Sequence, residues 1–302
     1  MRVLLTGSSG FIGQNIGSPE IEFKHVIRGK KKEADSEDVF YIDKLNNSTT
    51  WDGAFVGIDA IIHLAGLAHA KSNNQQDYQS VNVDGTLHLA KEAAKAGVTR
   101  FIFVSSIGVN GTFTKDLPFS STSIPSPHND YTKSKYEAEL GLKKIASQTG
   151  MELVVVRPTL VYGPKAPGSF GLLSRLVSRV PVLPFGLANN KRNFISVQNL
   201  ADLLVTCVKH PSASGHTFLA SECETVSIKT FTNAIAKGKG INVVQLPVPL
   251  SFMRFIGKLV RKTQIVEQLI GNLEVDSSDL KDVLNWTPPY SMEESMAFIE
   301  HN

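Results

Sequence analysis

Short apolar runs recur along the first half of the 302-residue chain, and longer polar segments separate them. Continuous Val, Ile, Leu and Phe runs, rather than strict alternation with polar residues, are typical of strands that are covered on both faces. The pattern predicts six strands, which are Val3–Thr6, His25–Arg28, Phe40–Asp43, Ala60–Ala65, Arg100–Ser105 and Leu153–Arg157.

Two of the intervening segments have apolar residues at helical spacing. One runs from about Tyr78 to Ala96 and precedes Gly97, and the other runs from about Tyr131 to Thr149 and precedes Gly150. Glycine just after a helix is the usual C-terminal cap. Strands that alternate with helices predict parallel βαβ units, and therefore an α/β fold with a doubly wound parallel sheet of the Rossmann type.

The alternation of strand-like and helix-like segments ends after Pro158, where prolines and glycines cluster. We therefore predict a Rossmann domain over residues 1–162, to which a later segment of about 190–212 returns. The remaining segments, about 163–189 and 213–302, are predicted to form a smaller, discontinuous mixed α/β domain that binds substrate.

Composition excludes several classes of protein. The formal net charge of +3 is too small to argue for nucleic acid. Cys207 and Cys223 form no CxxC pair, so neither a disulfide nor a metal site is predicted. The N-terminus reaches glycine too early for a signal peptide, and no apolar run approaches the length of a membrane helix, so we expect no membrane insertion and a cytoplasmic location.

A glycine loop follows the first predicted strand. Gly7 allows a tight turn, Gly10 allows the backbone to approach a diphosphate, and Gly13 allows a following helix to pack closely on the strand. The N-terminus of that helix would direct backbone N–H groups and its positive dipole at the anion. The loop is compatible with a plain turn before a helix, but its place between strand and helix favours a dinucleotide site.

The ends of the second and third strands bear on which dinucleotide binds. Arg28 ends the second strand and Lys30–Lys32 follow it, which favours the 2′-phosphate of NADP over the free hydroxyl of NAD. A solvated basic loop is the alternative interpretation. Asp43 is a candidate acceptor for the adenine amino group, or else a turn cap.

Tyr131 and Lys135 lie four residues apart at the start of a predicted helix, and therefore on one face of it. A free tyrosine has a pKa of about 10, but a neighbouring ammonium and an oxidised nicotinamide favour the phenolate. Tyr131 can then exchange a proton with a substrate hydroxyl or ketone. A surface pair is the ordinary interpretation of this spacing taken alone.

The spacing of several motifs together resembles the extended short-chain dehydrogenase/reductases, which include nucleotide-sugar epimerases, dehydratases and ketoreductases. The motifs span nearly the whole chain: Thr6-Gly7-x-x-Gly10-Phe11-Ile12-Gly13, His63-Leu64-Ala65-Gly66, Asn82-Val83-x-Gly85-Thr86, Phe103-Val104-Ser105-Ser106, Tyr131-x-x-x-Lys135, Arg157-Pro158-x-x-x-Tyr162-Gly163-Pro164, Arg192-Asn193-Phe194-Ile195-x-Val197 with Leu200-Ala201-Asp202, and Leu284-x-Trp286-x-Pro288.

The resemblance implies a catalytic set of Ser106, Tyr131 and Lys135, with Ser105 in place of Ser106 if the register differs by one. It implies that Lys135 also binds the nicotinamide ribose, that Asn82 is structural, and that Arg192 contacts the nucleotide part of the substrate. Phe170 could border the sugar pocket, although core packing is the simpler role. The implied cofactor residues are Gly7, Gly10, Phe11, Ile12, Gly13, Arg28, Asp43, Leu64, Ala65, Gly66, Lys135 and Pro158.

The resemblance also limits the reactions that we expect of this chain. Dehydratases of the family have an acidic pair where this chain has Ile107 and Gly108, so dehydration is disfavoured. The chain is similar to enzymes of bacterial surface-polysaccharide (lipopolysaccharide) synthesis, so we favour NAD(P)H-dependent reduction of a UDP-4-keto-6-deoxy-N-acetylhexosamine at C4. A UDP-sugar 4-epimerase that retains NAD is the alternative, weakened by Arg28 and by Asn110 where epimerases usually have tyrosine. A non-catalytic dinucleotide-binding regulator is a minor alternative, and family members are often homodimers.

The segment Ser251–Lys262 is amphipathic and basic. We expect a helix of the substrate domain that packs through Phe252, Phe255, Ile256 and Leu259. Contact with a membrane surface or a partner is the other interpretation of this pattern.

Overall fold

The computed structural model describes residues 1–30, 36–68 and 74–299, so Lys31 and Lys32 of the basic run lie outside the described residues. The strands in the described residues are β1 (Arg2–Thr6), β2 (Glu22–Arg28), β3 (Val39–Ile42), β4 (Ala60–His63), β5 (Arg100–Val104), β6 (Glu152–Pro158), β7 (Leu160–Tyr162), β8 (Val182–Leu183), β9 (Arg192–Ser196), β10 (Thr217–Ala220), β11 (Thr225–Val226) and β12 (Val244–Gln245).

The α-helices are α1 (Gln75–Tyr78), α2 (Thr86–Lys95), α3 (Asp130–Thr149), α4 (Gly168–Arg179), α5 (Val197–Lys209), α6 (Ile228–Gly238), α7 (Leu250–Leu259), α8 (Thr263–Ile270), α9 (Ser278–Leu284) and α10 (Met292–Ala297). A π-helical segment, Gln79–Gly85, joins α1 to α2, so the single helix predicted over Tyr78–Ala96 has a widened first part. Gly97 and Gly150 both have positive φ, as expected for glycines that follow helices.

Seven parallel strands form the central sheet in the order β10-β6-β5-β4-β1-β2-β3. All six predicted strands lie in it, and the doubly wound Rossmann fold is confirmed. Strand order reverses at β1 and β4, and ligands bind such sheets outside the carboxyl ends of the strands at this reversal. Each predicted site at a strand end therefore lies on one edge of the sheet.

The sheet is buried because both of its faces are apolar. Val3 and Leu5 of β1 point into one core, whereas Leu4 points into the other. Helix α5 covers the first face through Leu200 and Leu203. Helices α2 and α3 cover the second face, mainly with small and branched residues; these include Leu89, Ala90, Ala93, Ala138, Leu142 and Ile145.

The prediction of a helix directly after the glycine loop is wrong. A single 3-10 turn, Gly13–Asn15, follows the loop, and the chain reaches β2 six residues after that turn. Because no helix in the described residues covers it, one face of β2 is less buried than the other. Phe23 and Ile27 on that face are only half-buried, whereas Lys24 and Val26 on the other face are buried. The N-terminus of a long helix therefore does not point at this loop, so its backbone N–H groups lack the support of a long helix dipole.

A second core lies between α4, α6 and α10. It contains a group of packed aromatic rings and aliphatic side chains, among them Tyr162, Phe170, Leu173, Phe185, Phe194, Phe231, Ile235 and Met296. The small sheet β11-β9-β7 borders it, and β12 pairs with β8 beside it. Most of these elements lie in the segments predicted for the second region, whereas Tyr162 and Phe194 lie in segments predicted for the Rossmann domain.

The division of the C-terminal residues differs from the predicted boundary at 213. Strand β10 pairs with β6 and is the outer strand of the central sheet. Helix α9 and Trp286 pack into the first core, and the Trp286 indole N–H donates to Asp202 of α5 at 2.7 Å. Residues 213–220 and 278–286 therefore pack with the Rossmann sheet, because their apolar side chains complete its first face.

The packing predicted for α7 is also wrong. Phe252, Phe255, Ile256 and Leu259 are all exposed, whereas the helix contacts the second core through Leu250 and Met253. No helix in the described residues is long and apolar enough to cross a membrane.

Candidate active site

Helix α3 begins with a well-formed cap that fixes the position of Tyr131. The Asn129 side chain accepts from the Thr132 N–H, and the Thr132 hydroxyl lies within hydrogen-bonding distance of the Asn129 N–H. This capping box satisfies two backbone donors of the first turn. Tyr131 is consequently held in the first helical turn, at the carboxyl edge of the sheet.

Ser106 lies beside Tyr131, and Ser105 does not. The Ser106 side chain interacts with the Tyr131 phenol and lowers its pKa, while the Gly108 N–H donates to Ser106 Oγ at 3.1 Å. Ser105 is buried and donates instead to Glu139 at 2.5 Å. The structure therefore brings Ser106, rather than its neighbour, together with the tyrosine.

Lys135 lies one turn along α3, in a buried position. Its Nζ donates to the Val104 carbonyl at 3.0 Å and lies 4.7 Å from the centre of the Phe103 ring. Burial lowers the pKa of Lys135 to about 8, although the Glu139 carboxylate opposes the shift. The ammonium therefore keeps its proton at pH 7 but loses it at a lower pH than a free lysine does, which is a common property of functional lysines.

The pKa of Tyr131 moves in the opposite direction. Burial raises it to about 12, with a smaller contribution from Tyr78, whose ring centre lies 6.3 Å away. The hydrogen bond from Ser106 opposes the rise. Tyr131 is thus a neutral phenol at pH 7 and holds a proton that it can donate.

A buried network behind Lys135 was not anticipated by the sequence. Arg157 of β6 pairs with Glu139 of α3 through Nη2–Oε2 (2.5 Å) and Nε–Oε1 (2.9 Å). Arg157 Nη1 also donates to Asn110 Oδ1 at 3.0 Å, and Ser105 donates to Glu139 as described above. One ion pair therefore connects β5, α3, β6 and the loop after β5. The spacing Tyr-x-x-x-Lys-x-x-x-Glu was the available signal, since it puts all three side chains on one helical face.

Asn82 ties the loop after β4 to α3. Its side chain accepts from the Leu67 N–H at 2.7 Å and donates to the Leu67 carbonyl and to Ser134 Oγ, each at 3.0 Å. A Cβ on Gly66 would lie 2.9 Å from Asn82 Oδ1 and 3.5 Å from Lys135 Nζ. Asn82 is therefore structural, as the resemblance implies, and Gly66 is required for close approach.

His63 is a second structural residue of this loop. It is fully buried between Thr6 (2.7 Å) and Thr86 (2.9 Å), and burial lowers its pKa to about 3, with a smaller effect from Lys135. The neutral ring holds Thr6 where its hydroxyl accepts from the Ala65 N–H at 3.2 Å. The loop that contains Leu64, Ala65 and Gly66 is thus fixed from both sides.

The glycine loop forms a cradle that a dinucleotide diphosphate fits. A Cβ on Gly7 would lie 2.8 Å from Ala65 N, and one on Gly13 would lie 2.3 Å from the Gly7 carbonyl oxygen. Within the described residues, the N–H groups of Phe11 and Ile12 have no hydrogen-bond acceptor. The two side chains point elsewhere, Ile12 into the first core and Phe11 against the second. Backbone donors without partners are what a bound phosphate requires.

The remaining predicted cofactor residues lie at strand ends on the same edge. Arg28 ends β2 with its side chain exposed, and it makes no ion pair with any residue that the structure describes. Asp43 follows β3 and is exposed. Pro158 is the last residue of β6, which extends one residue further than predicted, and it is buried beside Ala220.

The two predicted substrate residues have different surroundings. Arg192 is half-buried, its Nη1 donates to the Gly271 carbonyl at 3.0 Å, and burial lowers its pKa to about 10. It has no carboxylate partner in the described part of the chain. Phe170 is 2% exposed and packs against Tyr162 and Phe231, so it is a residue of the second core and does not border an open pocket.

The two positions where dehydratases of the family have an acidic pair, 107 and 108, have no acid in this chain. Ile107 is buried, and a Cβ on Gly108 would lie 2.6 Å from Thr132 Cγ2, so an acidic side chain at 108 has no room. The loop instead supplies the Gly108 N–H to Ser106. Tyr131 is therefore the candidate for proton transfer at this edge.

The sequence and structure were compared with those of known proteins. A profile of the NAD dependent epimerase/dehydratase family matches residues 3–220. The UDP-glucose 4-epimerase of Vibrio cholerae is 38% identical over 99% of this chain and 96% of that protein.

Two further relatives are more distant. The N-acetyl-alpha-D-glucosaminyl-diphospho-ditrans,octacis-undecaprenol 4-epimerase of Escherichia coli O157:H7 is 25% identical over 83% of this chain and 77% of that protein. The crystal structure of UDP-N-acetylglucosamine 4-epimerase from Bacillus cereus has a TM-score of 0.76 at 17% identity, and the match covers 100% of this chain and 98% of that one. At that identity the structural similarity supports the fold alone.

Proposed function

Because this chain belongs to the NAD-dependent epimerase/dehydratase family, we propose that it transfers hydride at C4 of a UDP-sugar, with Tyr131 as the proton donor and acceptor. The chain is an NAD(P)-dependent enzyme of the short-chain dehydrogenase/reductase type. The observation that carries the proposal is the convergence of Ser106, Tyr131 and Lys135 from two distant segments at the carboxyl edge of the sheet.

Each of the three side chains has a distinct role in the proposal. Ser106 donates a hydrogen bond to the reacting oxygen, and Tyr131 delivers its proton to that oxygen as hydride arrives at the carbon. Lys135 holds positive charge beside the site and stabilises the developing phenolate. The bound nicotinamide supplies the hydride chemistry. The cradle of Gly7, Gly10 and Gly13 and the N–H groups of residues 11 and 12 would hold its diphosphate.

We favour reduction of a UDP-4-keto-6-deoxy-N-acetylhexosamine over the reverse oxidation. The pKa of Tyr131 is raised to about 12, so the free site offers the phenol that a reduction consumes. Arg28 at the end of β2 is exposed and has no ion-pair partner among the described residues, so it suits the 2′-phosphate of NADPH, a cofactor that a reductase releases and replaces. Asp43 would accept from the adenine amino group.

A UDP-sugar 4-epimerase is the second candidate. The similarity to the Vibrio cholerae UDP-glucose 4-epimerase over nearly the full length of both proteins favours it. An epimerase uses the same three residues in both directions and keeps its cofactor bound. The two candidates therefore differ in cofactor turnover, and not in the identity of the proton donor.

Arg192 is the proposed contact to the diphosphate that links sugar and nucleoside. It is a half-buried cation without a carboxylate partner in the described residues, and such a group needs an anion. The Escherichia coli relative acts on a sugar that is linked by a diphosphate to a lipid. A diphosphate adjoins the sugar in both carriers, so Arg192 could serve either one.

The decisive experiment follows the cofactor. The purified protein is denatured and any released dinucleotide is identified, and NADPH and NADH oxidation are then measured with UDP-4-keto-6-deoxy-N-acetylglucosamine. Stoichiometric oxidation supports the reductase. Retained NAD, no net oxidation and conversion of UDP-glucose to UDP-galactose would support the epimerase.

Two variants make the result specific. Arg28→Ala should lower the preference for NADPH over NADH, with Lys44→Ala, another exposed cation after a neighbouring strand, as the matched control. Binding of dinucleotide with no conversion of any UDP-sugar would contradict both candidates and favour a non-catalytic, cofactor-binding protein.

A further inference from the structure

Helix α7 has two apolar faces, and only one of them is covered. The covered face is formed by Leu250, Met253 and Gly257, spaced three and four residues apart. A Cβ on Gly257 would lie 2.7 Å from Val266 Cγ2, so α7 and α8 cross in close contact at this glycine. The hairpin of α7 and α8 (residues 250–270) is therefore firmly seated on the second core by one side.

The opposite face of α7 is an exposed apolar stripe. Phe252 is 54% exposed, Phe255 60% and Leu259 71%, and their spacing places them in one line along the helix. Ile256, Val260 and Ile265 of the same hairpin are exposed as well. Exposed large apolar residues are common singly, but a continuous stripe on one element indicates an interaction site.

The cations of the hairpin are arranged around this stripe. Arg254 pairs with Glu267, the one carboxylate between residues 250 and 270, at 2.8 Å. Lys258, Arg261 and Lys262 make no ion pair with any residue that the structure describes. Their side chains line an open cavity of about 470 Å³ at the tip of the hairpin. The surface thus combines unpaired positive charge with apolar side chains.

We propose that the α7–α8 hairpin is a membrane-surface contact whose partner is an anionic phospholipid bilayer. An amphipathic helix of this kind lies in the plane of the interface, with Phe and Leu among the acyl chains and Lys and Arg at the headgroups. Negative lipid headgroups attract each nearby lysine or arginine. The three cations, which have no ion-pair partner in the described residues, should therefore make the hairpin bind an anionic bilayer more strongly than a neutral bilayer or an uncharged protein surface.

The hairpin is joined directly to the candidate site. Gly271, the residue after α8, accepts a hydrogen bond from Arg192 Nη1 at 3.0 Å. If residues 250–270 bind a bilayer, Arg192, the proposed contact to the diphosphate, is hydrogen-bonded to the residue that directly follows the bound hairpin. The inference does not depend on which C4 reaction the site performs.

The test measures co-sedimentation of the full chain with vesicles of phosphatidylcholine, with and without about one third phosphatidylglycerol. We expect the protein to sediment with the anionic vesicles at low salt. The triple variant Phe252→Ser, Phe255→Ser, Leu259→Ser should reduce the bound fraction about tenfold. A second triple variant, Lys258→Ala, Arg261→Ala, Lys262→Ala, should remove the preference for anionic vesicles.

The matched control changes three exposed apolar residues on other parts of the surface: Val56→Ser, Leu117→Ser, Ile124→Ser. This control should bind vesicles as the unchanged protein does. Failure of the unchanged protein to sediment with anionic vesicles would overturn the proposal, as would an equal loss of binding in the control.

A second copy of the chain is the competing occupant of the stripe. The mass of the protein in solution, measured without lipid for the unchanged chain and the serine variant, distinguishes it. An unchanged mass, together with the loss of vesicle binding, supports the bilayer. A shift from dimer to monomer in the serine variant would identify the stripe as a subunit interface and overturn the proposal.

Discussion

Helices α3 and α7 depart from the usual burial of apolar residues in opposite ways: α3 buries charged side chains, and α7 exposes apolar ones. Helix α3 buries two charged side chains, Lys135 and Glu139, against the Rossmann sheet. Helix α7 exposes large apolar side chains, among them Phe255 and Leu259, and turns its smaller Gly257 toward α8. Helix α3 therefore buries charged residues among its apolar ones, whereas α7 exposes the bulkier of its two apolar faces.

The difference shows what permits each departure from ordinary burial. A charge is tolerated in the interior when every polar atom finds a partner, and Glu139 is bonded to both Arg157 and Ser105. An apolar stripe is tolerated on the surface when the other side of its helix already supplies the packing. The buried charges connect α3 to β6 behind the candidate site, and the exposed stripe is available to a partner.

The largest effect should come from the polar face of α3. Tyr131→Phe removes the proton donor while keeping the ring, so turnover should fall by about 10²–10⁴-fold. Binding of the dinucleotide, measured by fluorescence titration, should be unchanged. Tyr136→Phe on the same helix is the matched control and should keep full turnover. If Tyr131→Phe retained near-normal turnover, the assignment of the proton donor would be wrong.

The next effect concerns the buried ion pair. Glu139→Gln leaves the Arg157 guanidinium buried without its counter-charge, so the free energy of unfolding in urea should fall by about 3–5 kcal/mol. Glu137→Gln, an exposed carboxylate two residues earlier, is the control and should change it by less than about 0.5 kcal/mol. A similarly small effect for Glu139→Gln would show that the pair does not stabilise the fold.

A matched pair of leucine substitutions compares the two helices directly. Leu142 of α3 is fully buried and Leu259 of α7 is exposed. Leu142→Ala should therefore lower the free energy of unfolding by about 2–5 kcal/mol because it leaves a cavity. Leu259→Ala should change it by less than about 0.5 kcal/mol. Equal losses, measured by urea denaturation, would show that α7 packs through its outer face after all.

The smallest effect is a pH dependence. The pKa of Lys135 is lowered to about 8, so its ammonium is present below that pH and is lost above it. The pKa of Tyr131 is raised to about 12, so the phenol keeps its proton throughout. The kcat/KM for reduction should therefore decrease about tenfold per pH unit above about 8. Lys135→Arg should shift this decrease to higher pH, and an unshifted profile would assign it to another group.

Much of the fold and site could be predicted from local pattern. The six apolar runs became strands of one parallel sheet because continuous burial on both faces requires such runs. The four-residue spacing of Tyr131 and Lys135 places both side chains on one face of α3. These features depend on neighbours within a few residues, and sequence shows those neighbours directly.

Other features depended on contacts between distant segments. Ser105 does not face Tyr131 because its hydroxyl donates to Glu139, which lies on a helix more than thirty residues further along the chain. Ser106 is therefore the serine beside the tyrosine. Phe170 is a core residue because Tyr162 and Phe231 close around it. The helix expected after Gly13 was replaced by one turn, because the chain returns to pair Glu22 with Arg2.

The sequence by itself determined the six strands of the central sheet, the helix that contains Tyr131 and Lys135, and the polar groups that stand at the sheet edge. Only the tertiary structure decided which side of each helix faces inward. Helix α7 illustrates the reason: both of its sides are apolar, so periodicity favoured the bulkier one, whereas the close crossing with α8 required the side that contains Gly257. Periodicity identifies an apolar face, but the shape of its neighbours selects the face that is buried.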